Sequence, residues 1–258
     1  MYATDFFETK ILNLARSTSI TAPSKMYLGL FLNNPEDIGG GVEVNYSGYA
    51  RQEISFSVPT VSGTGLSIQN TSVITFAESS SLVGQVGYIA VFDALSGGNM
   101  WLYGKLGTNL NVQSGVSPVV RAGMIKYIMT GNLNTYYRTA ILNTLRGTSC
   151  SGFSAYIALM TGNPDSGGVE FSGSGYSRIS VSFGTPSEQA NGNMQMANSS
   201  TATSSEATGL WGTLSNISIY DASANGHPFL SIPLGTTYDM VSGSVCQFPV
   251  GNLKINVN

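Results

Sequence analysis

The sequence predicts an all-β protein of two tandem antiparallel β-sandwich domains, each opened by one short helix. Three observations predict this: a long stretch occurs twice, several segments alternate strictly between apolar and polar residues, and the composition is rich in Gly and poor in charge. The first copy of the stretch, Tyr27 to Phe56, reads YLGLFLNNPED and then GVEVNYSGYARQEISF. The second, Tyr156 to Phe183, reads YIALMTGNPDS and then GVEFSGSGYSRISVSF. Asn34-Pro35 matches Asn163-Pro164, Gly41-Val42-Glu43 matches Gly168-Val169-Glu170, and Gly48-Tyr49 with Arg51 matches Gly175-Tyr176 with Arg178. An internal repeat is the firmest architectural statement one sequence can make.

The elements follow in order. Residues 4 to 16 carry Phe7, Ile11 and Leu14 on one helical stripe, with Asp5 and Glu8 spaced as a capping pair. The block returns at 135 to 149, where Tyr137 and Ile141 take the stripe positions and Arg146 matches Arg16. Each helix leads to a strand apolar on both faces, Met26 to Leu32 in the first copy, as central strands are. Asn-Pro and glycines then make a long turn. The next strand alternates, with Ile54, Phe56 and Val58 inward in the first copy and Ile179, Val181 and Phe183 in the second.

The middle of each copy is polar, with short strands predicted at Val73 to Phe76 and near Met194 to Ala197. Asn198 to Thr208, NSSTATSSEAT, reads as a surface loop. The segments VGYIAVFDALSGGN and LSNISIYDASANG predict strands closed by Asx-type turns at Asp93 and Asp221, with partner strands at Leu102 to Leu106 and Leu230 to Leu234. A final alternating strand sets Leu253, Ile255 and Val257 against Lys254 and Asn256. Ser114-Gly115 and Ser242-Gly243 fix a repeat of about 128 residues that fills the chain, so the domains are placed at 1–130 and 131–258.

Composition excludes several functions. Only 10% of the 258 residues are charged and the net charge is −3, which leaves no basic field for nucleic acid. No apolar run is long enough to insert in a membrane, and Asp5 and Glu8 stand where a signal peptide would be basic and then apolar. Folding in a cytoplasm is the expectation. Cys150 and Cys246 read as two free, mostly buried thiols.

Catalytic chemistry finds no support. The single histidine, His227, sits in a turn, and no Gly-x-Ser-x-Gly elbow accompanies it. The carboxylates are scattered, with no metal-ligand spacing and no phosphate loop, so no cofactor is expected. Glu43 with Asp93 could stand as the two carboxylates of a glycosidase, but Glu170 and Asp221 repeat them, and one small chain would then need two active sites. Glu43 lies eight residues before Arg51, and Glu170 eight before Arg178, so each pair is expected to form an ion pair pinning its Gly-rich turn. Trp101 and Trp211 do not align with each other. Each reads either as filling a core gap peculiar to its copy or as an interface anchor or sugar platform.

The order of these motifs resembles small bacteriophage tail-fibre or minor tail proteins. Tyr27-Leu28-Gly29-Leu30, Pro35, Glu43 and Gly48-Tyr49-Ala50-Arg51 carry the resemblance in the first copy. Tyr156-Ile157-Ala158-Leu159, Pro164, Glu170 and Gly175-Tyr176-Ser177-Arg178 carry it in the second. The resemblance implies a non-enzymatic component of a tailed-phage virion, at the tail tip, baseplate or fibre base, whose partners are other virion proteins. A homo-oligomer, with a trimer as the leading form, goes with that reading. The alternatives are a head or neck decoration or carbohydrate-binding module touching a host surface glycan, and, last, a glycan-cleaving tail enzyme.

Overall fold

A computed structural model describes residues 1–257. Contacts divide the chain into two compact units. Unit 1 is Met1–Glu8, Thr21–Met129 and Leu142–Ser149, and unit 2 is Thr9–Ile20, Thr130–Ile141 and Cys150–Asn258. Two of the five boundaries, between Glu8 and Thr9 and between Ile141 and Leu142, fall within the α-helices Asp5–Asn13 and Thr135–Thr144, which are the only α-helices among the described residues. Every strand pair is antiparallel. The chain is a mostly-β, two-repeat fold, as the alternating segments predict.

In unit 1 the main sheet runs, in spatial order, Tyr2–Ala3, Met100–Val112, Gly84–Phe92, Met26–Phe31 and Gln52–Ile54. A second sheet orders Lys126–Met129, Gly65–Gln69 and Thr60–Ser62, and Ile74–Thr75 pairs with Val119–Val120. Unit 2 repeats this plan. Its main sheet runs Pro228–Met240, Gly212–Tyr220, Ala155–Met160 and Ile179–Val181. Its second orders Lys254–Asn256, Met194–Ala197 and Ser187–Glu188, and Ala202–Thr203 pairs with Gln247–Phe248. The one departure is the edge strand Tyr2–Ala3, which unit 2 reduces to a single bridge between Leu133 and Leu230.

The central strand is apolar on both faces because it is covered on both. Leu28, Leu30 and Phe31 are buried in unit 1, and Ile157 to Met160 are buried in unit 2. Leu32 and Val58 depart from the predicted pattern and are exposed, since each lies past the end of its strand. The helices are shorter than predicted. Thr4 caps the first: its hydroxyl accepts from the Phe7 N–H at 3.3 Å and donates to the Met100 carbonyl at 2.6 Å. Asp165 serves the second helix, accepting from the Thr135 N–H and hydroxyl at 2.8 and 3.0 Å.

The long hairpins extend well beyond the predicted partner strands, and an irregularity explains why. Opposite Gly87, between the pairs Val86↔Leu110 and Tyr88↔Lys105, the partner strand carries four residues, Leu106-Gly107-Thr108-Asn109. Opposite Ser215, between Leu214↔Tyr238 and Asn216↔Pro233, it carries Leu234-Gly235-Thr236-Thr237. Extra residues in one strand leave the ladder and bend it outward, so each hairpin has an exposed elbow.

Asn198 to Thr208 is not the free surface loop its composition suggests. Ala202, Ser204 and Ala207 are buried, and Asn198 is 2% exposed. The Asn198 amide donates to the carbonyls of Ser200, Phe248 and Pro249 and accepts from the Leu253 N–H. Asn70 does the same work in unit 1, donating to Ser72 and Arg121 and accepting from Ile125. A buried amide that closes three chain ends satisfies backbone groups that would otherwise be stranded.

Candidate functional site

The residues shared by both copies converge on one construction in each unit. Arg51 reaches Glu43 through two parallel bonds, Nε to Oε1 at 2.9 Å and Nη2 to Oε2 at 2.8 Å. Arg178 reaches Glu170 the same way at 2.8 and 2.7 Å. This is the fork-to-fork geometry that makes guanidinium–carboxylate pairs both strong and directional. The remaining guanidinium nitrogen closes the next turn: Arg51 Nη1 donates to the carbonyls of Ala94 and Gly97, and Arg178 Nη1 to those of Ala222 and Asn225. Each guanidinium lies over an aromatic ring, Phe92 at 3.3 Å and Tyr220 at 3.6 Å.

Tyr49 and Tyr176 belong to the same construction. The Tyr49 hydroxyl donates to Glu43 at 3.0 Å and accepts from the Leu30 N–H at 2.9 Å. Tyr176 bridges Glu170 and Leu159 at 3.0 and 3.0 Å. Burial first, and then the neighbouring carboxylate, push both phenols well above their ordinary range, so both remain protonated donors. Gly48 and Gly175 precede them at φ 89° and 78°, a left-handed conformation that a side chain would strain. Tyr27 and Tyr156 occupy the central strands, half-buried, opposite Phe92 and Tyr220. Pro35 is buried, and Pro164 opens a short 3₁₀ turn capped by Asn163.

The turns held by arginine are also held by aspartate. Asp93 accepts from the Asn99 N–H at 2.7 Å, and Asp221 from the His227 N–H at 2.7 Å. Burial works to raise the Asp93 pKa, but the bonds from Asn99 and Trp101 outweigh it and hold the carboxyl below its ordinary value. The His227 ring stacks on Tyr136 at 3.6 Å and its Nδ1 lies 3.6 Å from Asp221. Every carboxylate oxygen of Glu43 and Glu170 is engaged with Arg or Tyr. No group of metal-ligating side chains occurs among the described residues, and no helix of the described residues is long and apolar enough to cross a membrane.

Trp101 and Trp211 both lie in the interior of their units. Trp101 packs on Phe7 and donates to Asp93 at 3.1 Å. Trp211 packs edge-on against Tyr176 and donates to the Ser174 carbonyl at 3.0 Å. Neither is a surface platform. Cys150 is buried and its thiol is pushed up to about 11 by burial, whereas Cys246 is only half-buried.

Sequence reasoning missed what the two units expose in common. Leu82 and Leu210 stand at equivalent positions ahead of the long hairpins and are each 74% exposed. Val42 and Val169 flank the shared glutamates at 55% and 65%. With the two elbows they form repeated outward features that internal packing does not use. The signal was present, because LGTN and LGTT recur, but they read as simple strand ends.

Two copies of one mostly-β module, each locked by the same buried polar bonds, define a tandem-repeat protein. The family model described as podophage GP4 fiber I protein gp80 matches residues 2–127 and again residues 132–256. The chain belongs to that family, as a tandem duplication, and is a virion-associated, structural, phage tail-fibre-type protein. A comparison with curated proteins found no match.

Proposed function

We propose that the chain is a non-enzymatic connector at the tail tip, baseplate or fibre base of the particle, built into the virion inside the host cytoplasm and binding neighbouring virion proteins through surfaces it presents twice. The observation that carries this reading is the repeated exposure of Leu82 with Leu210 and Val42 with Val169, in units that also share two equivalent elbows. Scattered apolar surface residues are ordinary, but folding gives no reason for the same ones to recur in both copies. Three chains carrying two such modules each would offer six similar faces to a six-fold ring, which makes a trimer the favoured oligomer. Imaging of particles carrying a labelled copy tests the location, and the mass of the purified protein tests the oligomer. Label density on the head, or a stable dimer, would count against it.

A second reading has one observation in its favour. In unit 2 a cavity of about 440 Å³ is lined by Leu234, Tyr238, Asp239, Val245 and Gln247, a mixture of apolar surface, phenol, carboxylate and amide suited to a host surface glycan. Loss of glycan binding in Tyr238→Ala, with assembly intact, would favour it over the connector reading.

A further inference from the structure

The stretch at the end of each helix, residues 14–22 and 144–152, bonds in a pattern that packing of a single repeat does not require. Within unit 2, Ile20 and Cys150 exchange both backbone bonds, N–H to O at 2.8 and 3.0 Å. These two residues hold equivalent places in the two copies, 130 positions apart, as do the equivalent arginines, Arg16 and Arg146. The surrounding bonds are reciprocal. The Ser19 hydroxyl accepts from the Gly152 N–H at 3.0 Å in unit 2, and the Ser149 hydroxyl accepts from the Ala22 N–H at 3.0 Å in unit 1. Arg16 Nε donates to the Phe183 carbonyl at 3.2 Å in unit 2, and Arg146 Nε donates to the Phe56 carbonyl at 3.3 Å in unit 1. Phe56 and Phe183 close the same alternating strand in the two copies. Equivalent residues that pair with each other, and reciprocal bonds on either side, are the signature of an isologous, self-complementary contact.

We propose that this stretch is a self-complementary arm, and that the partner it fits is the same arm of a second repeat of this family. Unit 1 is completed by residues 142–149 of the second repeat, and unit 2 by residues 9–20 of the first. The tandem duplication supplies that partner within one chain and leaves the arm satisfied. Gly152 marks how close the fit is, because a Cβ there would run into the backbone of Ser17 and Thr18. The arm therefore joins repeats independently of the covalent link at Thr130 and Gly131.

The test uses the whole chain with a protease recognition sequence inserted between Thr130 and Gly131, both exposed. After cleavage under native conditions, the halves should elute together at the 27.1 kDa of the intact chain. Halves that separate freely would overturn the proposal. The arm is then probed by a cross-link. Residues that exchange both bonds in an antiparallel pair stand about 5.5 Å apart at Cα, within the range of a disulfide. In a Cys246→Ser background, oxidised Ile20→Cys should join the cut halves through Cys150 into one band without reductant, and two bands would defeat the idea. Ser19→Ala combined with Ser149→Ala and Arg146→Ala keeps the fold's core and should weaken the association of the cut halves by roughly tenfold. Unchanged association in that variant would show that contacts outside the arm hold the repeats, and the proposal would fall.

Discussion

The two repeats solve the same interior twice with different residues, and the differences come in compensating pairs. In unit 1, Tyr46 packs edge-on against Tyr49, with ring centroids 5.5 Å apart, and its hydroxyl donates to the Ala77 carbonyl at 2.7 Å. In unit 2 the equivalent position is Gly173, as the matching turns Tyr49 N–H to Tyr46 O and Tyr176 N–H to Gly173 O establish. The vacant volume is filled by Trp211, just ahead of the strand Gly212–Tyr220, which packs on Tyr176 at 5.3 Å and stands where unit 1 has Val83. A Cβ on Gly173 would collide with the Trp211 ring. A large and a small residue have changed places across one packing site, which conserves volume as a close-packed interior demands.

The second exchange concerns a hydrogen bond. Asp93 receives the indole N–H of Trp101, with Phe7 packed beside it at 5.0 Å. In unit 2 the equivalents are Phe229 and Tyr137, 5.2 Å apart, and the Tyr137 hydroxyl donates to Asp221 at 3.0 Å. The donor has moved from the strand to the helix while the acceptor has stayed. What persists between the copies is therefore the acceptor at the turn, and not the identity of the residue that satisfies it. The Arg51 and Arg178 constructions, in contrast, match bond for bond. Packing can be rebuilt from either side of a gap. A guanidinium serving two carboxylate oxygens and two carbonyls admits no such substitute.

Breaking the comparison at Trp211 has the largest expected effect. Trp211→Ala should cost about 3–5 kcal/mol, measured by denaturant unfolding, because it empties a site whose facing residue is glycine. Trp211→Val with Gly173→Tyr transplants the unit 1 solution and should recover much of that loss. A double variant no better than Trp211→Ala would show that the sites are not interchangeable. Arg51→Met and Arg178→Met come next, at roughly 3 kcal/mol each, since either strands a glutamate that is three-quarters buried. A loss confined to one repeat would break the equivalence of the two constructions.

The bond to aspartate sharpens the contrast at smaller cost. Tyr137→Phe should destabilise by about 1.5–3 kcal/mol, the worth of a bond to a charged acceptor, and Phe229→Trp in the same chain should restore part of it. The carboxyl of Asp93 adds a pH dependence. Its folded pKa lies below the ordinary 3.8, so its contribution is present above that value and is lost as pH falls through the folded one. Asp93→Asn should flatten the acid side of the stability profile, and an unchanged acid slope would remove Asp93 as its source.

Much of the fold was legible in the sequence because the repeat supplied a second reading of every ambiguous segment. The alternating strands and the Asp-closed turns stand out by residue type alone. In the arginine constructions, Glu and Arg are marked by their spacing, but the carbonyls of residues 94, 97, 222 and 225 carry no side-chain signal. Asn70 and Asn198 hide in Ser- and Thr-rich text, since only the meeting of distant chain ends makes them buried. The elbows were missed because a register shift belongs to two strands, and neither strand shows it alone. The arms after the helices depend on partners some 130 residues away, beyond any local pattern.

The smallest contrast lies at the ends of the two helices and gives a stabilising change. Thr18 N–H returns to the Asn13 carbonyl at 3.0 Å, and Thr148 N–H to the Asn143 carbonyl at 3.1 Å, the closing bond that ends a helix on a left-handed residue. In the second repeat that residue is Gly147, at φ 89°. In the first it is Ser17, at φ 61°. A side chain in this conformation crowds its own carbonyl and costs on the order of 1 kcal/mol that glycine does not incur. Glycine also adds freedom to the unfolded chain, which offsets part of the gain. Ser17→Gly should therefore raise stability by up to about 1 kcal/mol, read as a higher unfolding midpoint at unchanged slope. Gly147→Ser should lower it by a similar amount. If both changes destabilise, the Ser17 side chain is serving its own repeat in a way that Gly147 does not, and the helix ends are not equivalent.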